Sequence, residues 1–114
     1  MKIKIIKTTM ERNDIIFMNK KKNVLTFNGA QSDYSPSRFI FKVTDTIHGW
    51  PNELQNTSIQ DATQYRIIIK DGEDIKRFIF KGQYPADIFR LDELIKDVES
   101  AISTKYLEEE KNTD

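Results

Sequence analysis

Between Tyr65 and Ile102 the hydrophobic period of the chain changes once, from two to 3.6, and that change fixes most of what the polypeptide can become. Tyr65–Lys70 (YRIIIK) and Ile75–Lys81 (IKRFIFK) flank Asp71-Gly72-Glu73-Asp74, the pattern of a β-hairpin around a polar turn. Gly82 ends the second run. Pro85 then opens a helix in which Ile88, Leu91, Ile95, Val98 and Ile102 recur at steps of three and four, and Leu94 widens the stripe. Asp87 falls in the first turn, where exposed N–H groups favour a carboxylate. A sheet with an Ile/Phe face needs a cover and this stripe supplies one, so the segment predicts an α+β arrangement.

The N-terminal half extends the sheet. Lys2-Ile3-Lys4-Ile5-Ile6-Lys7 alternates polar and apolar residues as a strand with one buried face does, and its lysines suit an edge. Ile15–Asn19 and Val24–Asn28 are β-prone runs separated by Lys20-Lys21-Lys22-Asn23, which reads as a hairpin loop. Asn28-Gly29 breaks the strand pattern, and a polar stretch follows to Ser35. Residues 36–48 admit two readings, because FIFKVT alternates like a strand. A helix fits better: Ser35 is a good N-cap, Pro36 suits the first turn, the apolar residues Phe39, Ile40, Val43, Ile47 and Trp50 fall on helical spacing, and Gly49 sits just past the end. The expected order is β-β-β-α-β-β-α: an antiparallel sheet of four or five strands with two helices on one face. One domain is expected over residues 1–106, with LEEEKNTD (107–114) a frayed acidic tail.

Composition excludes whole classes of chemistry. Without cysteine there are no disulfides, thiolate nucleophiles or sulfur-ligated zinc sites, and a single histidine removes multi-imidazole metal centres. The chain contains no GxGxxG, GxxxxGK[ST] or HExxH. No metal and no cofactor are expected. The charged opening MKIKIIKTTMERNDIIF lacks a signal-peptide core, and no run approaches a membrane span, so a cytoplasmic protein without a membrane partner is expected. Net charge is zero but uneven. Residues 1–28 carry seven Lys/Arg against two Asp/Glu, whereas residues 87–114 carry four against nine. The basic part permits association with nucleic acid, yet without arginine-aromatic interleaving it is more simply a set of outward strand lysines.

The stretch TIHGWPNEL (46–54) gathers the only His, the only Trp and one of three prolines. His48 could act as a base oriented by Asp45, but nothing places a nucleophilic serine beside it, and a lone histidine near a helix end is more simply a capping residue; no catalytic residue is assigned. Trp50 is a better candidate for binding, because tryptophan often forms the energetic centre of interfaces and Pro51 restrains its backbone. Its structural alternative is to fold over the end of the first helix and close the core. The expected partner-binding set is Trp50, Pro51, Asn52 and Leu54, in a long polar connection over residues 49–64, together with Tyr34, an aromatic before a helix beside Arg38.

The block YRIIIKDGEDIKRFIFKGQYPADIFRLDELIKDV resembles the second half of the emfourin family of small bacterial metalloprotease inhibitors, and MKIKI is similar to that family's start. The resemblance covers about half the chain and implies a small α+β inhibitor that obstructs a thermolysin-like protease. The family's glycine-rich segment after the first strand is replaced here by Lys7-Thr8-Thr9-Met10-Glu11-Arg12, so no inhibitory residue is carried over. The pattern from Trp50 through Asn56, Asp61 and Tyr65 to Tyr84-Pro85 is also similar to small uncharacterised proteins of AT-rich bacteria, which implies no function. The sequence therefore leads to a non-catalytic module that binds or inhibits another protein. Nucleic-acid association through the lysines of residues 2–22 and a small enzyme using His48 are the alternatives.

Overall fold

The computed structural model describes residues 1–103. Strands β1 (Lys2–Thr8), β2 (Asn13–Asn19), β3 (Val24–Phe27), β4 (Ala30–Gln31), β5 (Glu53–Gln55), β6 (Gln64–Asp71) and β7 (Asp74–Lys81) form one sheet, in the order β4-β3-β2-β1-β6-β7-β5. Helices α1 (Pro36–Thr46) and α2 (Phe89–Ser100) complete the fold. The domain limit expected at residue 106 and the tail 107–114 lie outside the described residues.

The α+β class and the two helices are as the periodicity indicates, but the sheet is larger than four or five strands and is not wholly antiparallel. Two short strands account for the difference. Asn28 and Gly29 both adopt positive φ (49° and 84°), so they turn the chain tightly enough for Ala30 to pair with Phe27 and form β4. Asn28 fixes this turn by accepting from the Ile15 N–H at 2.7 Å and donating to Asp14 at 3.0 Å. The second strand, β5, lies within the expected loop 49–64 and runs parallel to β7, pairing Glu53 to Ile79, Leu54 to Phe80 and Gln55 to Lys81. Three residues are too few to show a period in sequence.

Register places Ile3, Ile5, Ile16, Met18, Leu25, Phe27, Ile67 and Phe80 on one face of the sheet, where they are all but fully buried. Phe39 and Val43 from α1, and Leu91, Leu94, Ile95 and Val98 from α2, close the same core. Both helices therefore cover that face. Ser35 caps α1 by accepting from the Arg38 N–H, Pro36 follows it in the first turn, and Gly49 (φ 79°) comes just after the helix, as the spacing predicts.

The second helix begins later than Pro85. Ile88 donates to Pro85, Arg90 to Asp87 and Leu91 to Ile88, a tighter three-residue pattern that leads into α2 at Phe89. Ile102 has left the helix and bridges to Ser32. Gly82 is required where it stands: φ is 78°, and a Cβ there would lie 2.5 Å from the Asn56 carbonyl oxygen. Among the described residues no helix is long and apolar enough to cross a membrane.

Leu91 has no exposed surface, so a carboxylate there loses the apolar contacts of α2 and buries a charge. We expect Leu91→Asp to destabilise the fold by at least ~3 kcal/mol, read by chemical denaturation. Native circular dichroism with an unchanged midpoint would refute the placement of α2.

Candidate functional site

The residues of TIHGWPNEL are distributed between packing and surface. Trp50 is half-buried, its indole edge-on to Phe80 at 5.5 Å, and Nε1 donates to the Asp87 carboxylate at 2.8 Å. It closes the core at the end of α1, as the packing alternative anticipated, and leaves one flank lining a surface groove with Ile47, His48, Lys76 and Phe78. Pro51 and Asn52 are exposed, and the Asn52 carbonyl accepts from the Ile79 N–H at 2.9 Å. Leu54 is half-buried against the core beside Phe80. Tyr34 lies before the other end of α1, about 16 Å of helix away by the usual rise per residue, so the structure does not bring it to Trp50. Its hydroxyl is buried without a hydrogen-bond partner among the described residues, and burial raises its pKa. The Arg38 guanidinium lies 5.7 Å from its ring centre.

His48 is exposed beside Phe41, Thr44 and Asp45. The Asp45 carboxylate is engaged by Arg90 instead of orienting the imidazole, and no serine lines the groove around it. Among the described residues no three His, Asp or Glu side chains gather as a metal ion would require.

A second cluster of reactive types joins the sheet to α2. Asp92 accepts from the Tyr65 hydroxyl at 2.8 Å and from Lys7 Nζ at 2.8 Å, and the same ammonium lies 5.5 Å from the Tyr65 ring centre. Burial, then the hydrogen bond to Asp92, raises the Tyr65 pKa well above its ordinary value. The arrangement holds the phenol protonated and ties β1 and β6 to the helix, a structural clamp by geometry.

A further surface feature is the face of the sheet that neither α1 nor α2 covers. In register across β3, β2, β1, β6 and β7 it carries Val24, Ile15, Phe17, Ile6, Ile68, Ile75 and Ile79. Interleaved with them are Lys2, Lys4, Arg66, Lys70, Arg77 and Lys81, none of which has an ion-pair partner among the described residues. Glu53 on β5 is the one acid that these strands direct to that side. Phe17 is 37% exposed and Ile75 46%. Between β6, β7 and β5 the face dips into a groove of about 400 Å³ lined by Glu53, Arg66, Ile68, Arg77 and Ile79.

Counting charge by segment hid this face, since residues 29–86 are neutral in sum. Parity reveals it: Arg66, Ile68 and Lys70 alternate with the buried Tyr65, Ile67 and Ile69, while the acids of that segment sit in turns, on α1 or at the edge.

Comparison with protein-family models, with curated proteins and with solved structures finds no match to this chain.

Two expectations test these contacts. An unfolded tyrosine titrates near 10 and the folded Tyr65 above it, so this group's contribution is complete below about pH 10 and declines as pH rises further. Tyr65→Phe should flatten the alkaline loss of stability measured by denaturation across pH, and an unchanged slope would contradict the clamp. In a double-mutant cycle, Trp50→Phe and Asp87→Ala, which removes the acceptor, should couple by about 1 kcal/mol. Additivity within error would mean that the indole–carboxylate bond contributes nothing.

Proposed function

We propose that this chain is a non-catalytic protein-binding module that receives an acidic partner surface on the uncovered face of its sheet. The observation that carries the reading is the composition of that face: seven apolar side chains, six cations without partners among the described residues, and one acid. Apolar surface supplies the drive for association, and unpaired cations select a partner of opposite sign. Aliphatic side chains suit a protein partner better than a nucleic acid, which would draw on stacking aromatics; Phe17 is the only ring the strands present on this side. The groove beside Arg66 and Arg77 gives the face a concave point at which a carboxylate and an apolar group could be held together. The emfourin resemblance gives the reading one specific form, obstruction of a thermolysin-like metalloprotease.

The test is affinity capture with nuclease treatment, comparing wild type with Lys4→Glu/Arg66→Glu on the open face and with Lys42→Glu on the exposed side of α1. A discrete protein that survives nuclease, is kept by Lys42→Glu and is lost by the double variant is the expected result. Capture that vanishes with nuclease and falls steeply with salt would transfer the face to nucleic acid. No captured species, or one held equally by the double variant, would overturn the proposal. Inhibition of a purified thermolysin-like protease in the same set of variants tests the specific form.

A further inference from the structure

The edge of the sheet next to that face carries a different kind of information. β5 covers β7 only from Ile79 to Lys81. The Ile79 N–H donates to Asn52 and the Lys81 carbonyl accepts from Asn56, so these two residues direct their peptide groups outward from β6. Strand geometry repeats every second residue, which places the N–H and C=O of Ile75 and Arg77 on the same outward side. Neither residue has a backbone partner there among the described residues. The stretch from Asp74 to Arg77 is exposed throughout. It is a strand edge with its hydrogen-bonding groups unmatched.

The sequence along this edge is Glu73-Asp74-Ile75-Lys76-Arg77. Its charges are antisymmetric about Ile75: two acids precede it and two bases follow. Reversed and set beside itself with Ile75 opposite Ile75, the segment brings Asp74 opposite Lys76 and Glu73 opposite Arg77, each pair occurring twice. None of the four charged residues has an ion-pair partner within the chain among the described residues. Asp74 moreover lies directly across the ladder from Asp71, two carboxylates side by side without a cation. We infer that the β7 edge pairs two copies of this chain, antiparallel and about a two-fold axis at Ile75, into one continuous sheet.

The axis stands perpendicular to the sheet, so the covered faces of both copies lie on one side and the open faces on the other. The two Ile75 side chains then meet on the open face, where each is now 46% exposed. Reach is matched as well. The hairpin of one copy turns back at Gly72-Glu73, opposite Arg77 of the other, and so stops before Ile79, where β5 begins. Other antiparallel registers forfeit the charge match: centred on Lys76, the pairing sets Lys76 against Lys76 and leaves both acids unmatched. The contact spans few residues, well under the roughly 1,200 Å² of stable interfaces, so it is an exchanging dimer that forms with concentration and is weakened by salt.

Sedimentation equilibrium over a range of concentrations tests this, with circular dichroism confirming that each variant is folded. Wild type should show a monomer–dimer equilibrium. Lys76→Glu, which faces Asp74 of the other copy with a like charge, should raise its dissociation constant at least ~10-fold. The exchange Asp74→Lys/Lys76→Asp keeps the antisymmetry and should restore association. A basic copy (Glu73→Lys/Asp74→Lys) and an acidic copy (Lys76→Asp/Arg77→Glu) should each be monomeric alone and dimerise when mixed. A wild type that is monomeric throughout, or a dimer indifferent to Lys76→Glu, would overturn the inference. Ile75 and Arg77 are shared with the face proposed for the partner, but the two tests stay separate, because Lys4 and Arg66 lie on other strands and Lys76 points to the opposite face.

Discussion

Everything in this fold depends on one sheet having a single dry side. Strand alternation sends Ile3, Ile5, Ile16, Met18, Ile67 and Phe80 to the same face, and the buried residues of both helices converge there. Burial of each such side chain is worth about 1.5 to 3 kcal/mol, so these few residues are comparable with the whole net stability of a small domain. The helices need the sheet as much as the sheet needs them. Eleven and twelve residues are too short to hold helical structure alone in water, and α1 and α2 persist because their apolar stripes are covered.

Polar contacts then orient what burial holds together. The Lys7–Asp92–Tyr65 cluster sets the angle of α2 over β1 and β6, and the Trp50–Asp87 bond fixes the end of α1 against the lead-in to α2. The lone tryptophan, which the sequence marks as chemically suggestive, is thereby used to align elements. Ordinary strand residues build the exposed surface with the most interaction capacity. In the function proposed here, binding is a property of a face, distributed over β1, β2, β6 and β7.

The hairpin around Asp71–Asp74, the stripe of α2 and the cap of α1 were legible in the sequence because each rests on a local rule with a clear period or end signal. Short strands were not. β4 depends on the positive φ values of Asn28 and Gly29, and β5 on an approach to β7 that only Gly82 permits, neither of which leaves a periodic trace. The start of α2 was misplaced because Pro85 is compatible with both a helix and the tighter turn that precedes it. As for the site, Trp50 drew attention by rarity, whereas the open face is built of common residues. Its signal was parity within strands combined with knowledge of which strands are neighbours, and β1 meets β6 only after more than fifty intervening residues.

The position of β5 also sets an order of assembly. β7 lies between β5 and β6 in the sheet, yet both of those strands precede it in the chain. When residues 53–55 leave the ribosome, their pairing partner at 79–81 does not yet exist. The segment from Pro51 to Thr63 must therefore wait as an open loop until the hairpin has closed and Gly82 has come beneath Asn56. The strand that finishes one side of the sheet can therefore pair only after the β6–β7 hairpin is in place.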